Sequence, residues 1–176
     1  MFINKISAKQ KNDINVVIEI PMNNSPVKYE FNKASGFLFV DRFIQTSMFY
    51  PYNYGFIPNT LSPDGDPLDV LVISNYSVIP GAVLQARPIG VLMMEDESGF
   101  DEKILSVPTV KLDPSFEDIN DINDLHPIIK DKITHFFKHY KNLEENKWVK
   151  ILGWKSVDTA LKVIDDAVKA WIATAH

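Results

Sequence analysis

Asp64-Gly65-Asp66-Pro67-Leu68-Asp69-Val70-Leu71-Val72 sets three aspartates within six residues, directly ahead of an apolar, largely β-branched run. The run Val70-Leu71-Val72 reads as a buried strand, and Gly65 and Pro67 make the acidic half a turn. From an extended backbone Asp64 and Asp66 point the same way, with Asp69 at the mouth of the strand. Carboxylates about 4 Å apart repel by roughly 4 kcal/mol at an effective dielectric near 20. A chain that gathers them must protonate some of them or hold cations between them, and short carboxylates suit hard, oxygen-seeking ions such as Mg²⁺. From this stretch alone an acidic surface turn is an equal alternative, because Asp, Gly and Pro are ordinary turn residues.

Upstream, 14–20 reads as a strand ending at Pro21, and Asn23-Asn24-Ser25-Pro26 turns into the alternating strand Val27-Lys28-Tyr29-Glu30-Phe31. Gly36 precedes a third strand, 37–43, that carries Asp41 and Arg42 at its end, so the early elements read as an antiparallel meander. Tyr50, Tyr52 and Tyr54 recur at every second position. Extended spacing aims their hydroxyls to one side, where they could face an oxyanion, unless Pro51 breaks the register. Aromatic packing around a bend is the other reading.

Downstream, 83–94 and 104–108 are strand-like, and the acidic segment Glu95 to Lys103 between them reads as a hairpin loop. Asp124 is a candidate N-cap for a helix over 127–140, with Ile129, Ile133, Phe136, Phe137 and Tyr140 on its core face. His135 and His139 stand four apart without the intervening acid of a zincin helix, which favours a packing or subunit-contact role. Residues 148–154 form a last strand. Ser156 then caps a helix with Leu161, Ile164, Val168 and Trp171 inward. The sum is a single α+β domain over 1–176, a barrel-like β-meander with one helix before its last strand and one after.

The 176 residues carry 18 basic and 23 acidic side chains, for a net charge of −5. That balance argues against a general nucleic-acid binder. With no cysteine, thiolate-zinc sites, disulfides and thiol nucleophiles are excluded. No stretch reads as a signal peptide or reaches the 18 or so apolar residues of a membrane span, so a cytoplasmic protein is expected.

The strand pattern turns two sets of polar groups away from the core. One is acidic: Glu19, Glu30, Asp64, Asp66, Asp69, Asp96 and Asp101. The other is cationic or phenolic: Lys28, Arg42, Lys103, Lys141, Tyr50, Tyr54 and Tyr140. Carboxylates that gather divalent ions, beside Arg and Lys able to hold phosphate oxygens, suit phosphoryl transfer to water. A divalent-ion buffer would not need the cations. An oligonucleotide-binding barrel would need a basic surface. A metal-dependent phosphatase on organic phosphates is the third rival.

The stretch 64–72 resembles the signature of the soluble family I inorganic pyrophosphatases of bacterial type. The resemblance runs from Glu19 to Trp154 through Pro26–Glu30, Phe39–Phe43, Phe49–Gly55 and His135–Lys141. It implies a five-stranded OB-like barrel that hydrolyses pyrophosphate to two phosphates, using several Mg²⁺ ions and a metal-activated water. By matching position it implies Asp64, Asp69, Asp96, Asp101 and Glu30 as metal ligands, and Asp66 as general base. Lys28, Arg42, Tyr54, Lys103, Tyr140 and Lys141 would hold phosphate oxygens, with Glu19 and Tyr50 supporting. It also implies a homohexamer, with His135 and His139 at a contact between subunits.

Overall fold

The computed structural model describes residues 5–32 and 35–174. In chain order the strands are β1 (Lys9–Gln10), β2 (Asp13–Ile20), β3 (Val27–Phe31), β4 (Leu38–Phe43), β5 (Asn53–Phe56), β6 (Asp69–Val72), β7 (Val83–Asp96), β8 (Gly99–Phe100) and β9 (Lys103–Pro108). Helix α1 (Pro127–His139), strand β10 (Val149–Ser156) and helix α2 (Val157–Thr174) complete the chain.

Five of these strands close on themselves. β2 pairs with β5, β5 with β6, β6 in parallel with β9, β9 with β7, and β7 returns to β2. This is the OB-like barrel, with β1, β8 and β10 extending it. Closure rests on β7, whose fourteen residues serve β2 at one end, β9 in the middle and β10 toward the other end. Pro88 cannot donate to a ladder, and it lies where the β7–β9 register shifts. At Gly55 a Cβ would stand 1.9 Å from the Val17 carbonyl oxygen, so only glycine lets β5 lie this close to β2.

The apolar runs are continuous because both faces of the strands are buried. In β6, Val70 and Val72 pack in a core shared with Ala160, Ile164 and Ala167 of α2. Leu71 packs in a second core with Ile133, Phe136 and Phe137 of α1.

The early meander is not one sheet. β3 and β4 form a separate two-stranded hairpin, because β2 already has β5 and β7 as barrel partners. The hairpin is tied back by the Phe31 N–H, which donates to the Glu19 carboxylate at 2.8 Å, and by the Phe31–Phe56 edge contact.

Two caps also differ from expectation. Asp124 serves a short 3-10 turn, Ile122–Asp124, by accepting the Asn120 and Asp121 N–H groups, and His126 occupies the N-cap of α1. Ser156 ends β10, and the Val157 N–H at the start of α2 goes to Asp121 instead. In α2 the small Ala160 and Ala167 bracket Ile164 on the buried face, while Leu161 and Trp171 are only half-buried. Small side chains there let the helix axis approach the sheet closely.

Candidate active site

The barrel brings strand ends from distant parts of the sequence to one place. Parallel pairing sets Asp69, the first residue of β6, beside Lys103, the first residue of β9. Antiparallel β7 ends nearby at Asp96. Glu19 comes from β2, Lys28, Glu30 and Arg42 from the hairpin, and Tyr140 and Lys141 follow α1. A cavity of about 290 Å³ opens at this end, lined by all fourteen side chains singled out above, Asp64, Asp66, Asp101, Tyr50 and Tyr54 included.

Within it, basic groups lie between acidic ones. The Lys103 ammonium, almost fully buried, donates to Asp69 at 2.5 Å, to Asp101 at 2.6 Å and to the Tyr54 hydroxyl at 3.2 Å. Burial alone would weaken its hold on the proton, but the Asp69 and Asp101 charges outweigh that and push its pKa far up. Lys141 donates to Asp96 at 2.8 Å and lies 3.6 Å from Glu97. Lys28 bonds Asp41 at 2.9 Å, with Glu30 at 3.7 Å. Arg42 stands between Glu144 at 3.3 Å and Asp41 at 3.7 Å.

The carboxylates still exceed what these cations satisfy. Burial raises the Glu19 pKa from 4.5 to about 8, only partly opposed by the Phe31 hydrogen bond and reinforced by the Asp69 and Glu30 charges. Asp101 is raised by burial, partly offset by Lys103. Asp64 is raised by desolvation, and the neighbouring Asp66 and Asp69 charges add to it. Burial keeps the Tyr50, Tyr54 and Tyr140 phenols protonated, hence able to donate.

Among the described residues, no three acidic or histidine side chains stand close enough to coordinate one ion as they are placed. The acids share a cavity but do not form a closed cage, with the Lys103 ammonium between Asp69 and Asp101. The donor chemistry nonetheless fits a hard divalent cation. Every acidic donor is an oxygen, none is a thiolate, and three of the carboxyls resist ionising without added positive charge.

Tyr52 departs from expectation. Tyr50 and Tyr54 line the cavity, but Tyr52 does not, and packs half-buried on the α1 side of the core. The strand begins only at Asn53, after Pro51, so the two-residue period does not extend through Tyr50. Glu97, Lys147 and Glu144 lie outside the two sets read from the sequence, and Asp41 entered only as the strand-end acid beside Arg42. Glu97 adjoins Asp96, and Asp41 adjoins Arg42, so adjacency was their only signal. Glu144 and Lys147 sit in an irregular loop after α1, where no periodicity points inward. Partial burial raises the Glu97 pKa, but its hydrogen bond from Lys147 and the Lys141 charge outweigh it and lower it to about 2.

An OB-type barrel with a deep cavity of interleaved acids, bases and phenols at one end has the build of an enzyme for a small anion. The comparisons make this specific. The inorganic pyrophosphatase family model matches residues 16–172. The inorganic pyrophosphatase of Rickettsia bellii is 59% identical over 170 residues, covering 96% of this chain and 97% of that one. A crystal structure described as an inorganic phosphatase, from Anaplasma phagocytophilum, superposes with TM-score 0.93 at 47% identity, covering 95% and 99% of the two chains. The Helicobacter pylori inorganic pyrophosphatase gives 0.92 at 48%, covering 96% and 99%. The chain belongs to the inorganic pyrophosphatase family and is a hydrolase. No described helix is long and apolar enough to cross a membrane.

Proposed function

We propose that this chain hydrolyses inorganic pyrophosphate to two phosphates with Mg²⁺. The observation that carries the reading is a cavity into which acidic, cationic and phenolic side chains from β2 through the loop after α1 converge. Asp64, Asp69, Asp96, Asp101 and Glu30 are the residues that would hold Mg²⁺. The bound ions would neutralise phosphate charge and acidify water.

The chain's own groups supply the rest. Asp66 sits on the exposed turn, its N–H held by Asp64 Oδ1 at 3.0 Å, and takes a proton from the attacking water. As the water oxygen bonds to one phosphorus, the bond from that phosphorus to the bridging oxygen breaks, and the electron pair leaves with the second phosphate. Lys28, Arg42, Lys103 and Lys141 receive that growing negative charge, with the Tyr54 and Tyr140 hydroxyls as neutral donors. Tyr50 packs tilted against Tyr54, ring centroids 4.9 Å apart, and fixes its ring, and Glu19 ties the hairpin to β2. The same reading takes 1–176 as one domain, cytoplasmic and homohexameric. The His135 and His139 rings, 4.6 Å apart on α1, would lie at a subunit contact.

The test is phosphate release as Mg²⁺ is titrated, with pyrophosphate and a phosphomonoester compared side by side. Fast, Mg²⁺-dependent release from pyrophosphate alone is expected. Preference for the monoester would overturn the substrate, and release that ignores Mg²⁺ would overturn the metal.

A further inference from the structure

One acidic group near the cavity has no part in the reading above. Glu144 lies in the loop between α1 and β10, its side chain 10% exposed, and its Oε1 is buried without a hydrogen bond. The nearest charge is Arg42 Nε at 3.3 Å, itself buried and without a hydrogen bond. The two are close enough to attract as an ion pair but are not aligned to share the proton. Removing a carboxylate from water costs several kcal/mol, and at this site only a fixed cation offsets it.

We propose that Glu144 is a positioning residue for Arg42. A guanidinium has five N–H donors in a rigid fork. A carboxylate held against the Nε side, from a loop that also carries Lys141, sets the plane of the fork toward the cavity. Asp41 at 3.7 Å from Nη1 cannot do this alone, because it rides on the same hairpin as Arg42 and moves with it. Glu144 comes from another part of the fold and gives that hairpin an external reference. The backbone there is pinned, with the Glu144 N–H donating to the Lys141 carbonyl at 2.9 Å. The two phosphate-facing cations Arg42 and Lys141 are thereby held in register.

This inference rests on Arg42 handling pyrophosphate, as proposed above, and a double-mutant cycle separates the two. Glu144→Gln keeps the shape and removes the charge. It is expected to lower kcat/KM for pyrophosphate roughly 10- to 100-fold, as lost orientation of a catalytic group does. Glu144→Asp, which keeps the charge, should retain more activity than Glu144→Gln. In an Arg42→Ala background, Glu144→Gln should do nothing further, which a merely structural role would not produce. If Arg42→Ala impairs turnover and Glu144→Gln adds its full effect on top, the positioning role is wrong. If Glu144→Gln alone leaves kcat/KM unchanged, it is wrong as well. If Arg42→Ala has no effect, the assignment of Arg42 fails first. Equal circular dichroism spectra and melting temperatures of the variants keep the readout free of unfolding.

Discussion

The two acidic segments of the cavity are alike in composition and opposite in circumstance. In the turn 64–69, Asp64 and Asp66 are exposed, and the Asp66 N–H donates to the Asp64 side chain at 3.0 Å. In the turn 96–101 each acid lies against a lysine: Asp96 with Lys141, Glu97 with Lys147, and Asp101 with Lys103. The tip of the first is open to water, with its Asp69 end bonded to Lys103, and the second is half-buried and largely neutralised. Similar residue content therefore yields a surface on which chemistry with water can occur, and a wall that holds its shape.

The sharpest way to break that contrast is to withdraw divalent cations. If the open turn depends on added positive charge, excess chelator should reduce phosphate release to background, and Mg²⁺ should restore it. Release that persists in chelator would show that the lysines suffice. Next in size, Asp66→Asn is nearly isosteric and should lower kcat by about 10²- to 10⁴-fold, the usual worth of a general base. Its melting temperature should barely move, because an exposed turn carries little packing. A wild-type rate in steady-state assays would remove Asp66 from the chemistry.

The neutralised wall should respond in stability instead. Lys103→Met leaves Asp69 and Asp101 facing one another without their shared ammonium, which should cost about 3–5 kcal/mol, the usual loss on breaking a buried pair. Urea unfolding in chelator reads this directly, and a midpoint unchanged from wild type would contradict it. The most gradual effect concerns Glu19, because it is spread over several pH units. Its folded pKa lies above the unfolded value, so the protonated group favours the folded state at low pH. That contribution is complete below about pH 4.5 and is lost as pH rises through about 8. In chelator, stability should fall across this window by no more than ~1.4 kcal/mol per pH unit from this one proton. Glu19→Gln should flatten that part of the curve.

Much of the cavity lining was legible in linear order because many of its polar groups sit beside a strong structural signal. Asp69 precedes an apolar strand, Lys103 follows a glycine-bearing hairpin tip, and Lys141 closes an amphipathic helix. What had no such neighbour went unseen. Glu144 and Lys147 belong to a loop whose inward side chains follow no period, and the exclusion of Tyr52 depended on where β5 actually begins.

The sequence by itself determined which segments become strands and helices, because periodicity and turn chemistry act within a few residues. It also held every acid, base and phenol of the cavity. Only the tertiary structure decided that β2 spends both edges on β5 and β7, which casts the 27–43 hairpin out as a separate flap of sheet. It also decided which acid meets which lysine. Those choices are made by barrel closure and by charge pairing between distant residues, 45 apart for Asp96 and Lys141 and 50 apart for Glu97 and Lys147, and no local pattern encodes them.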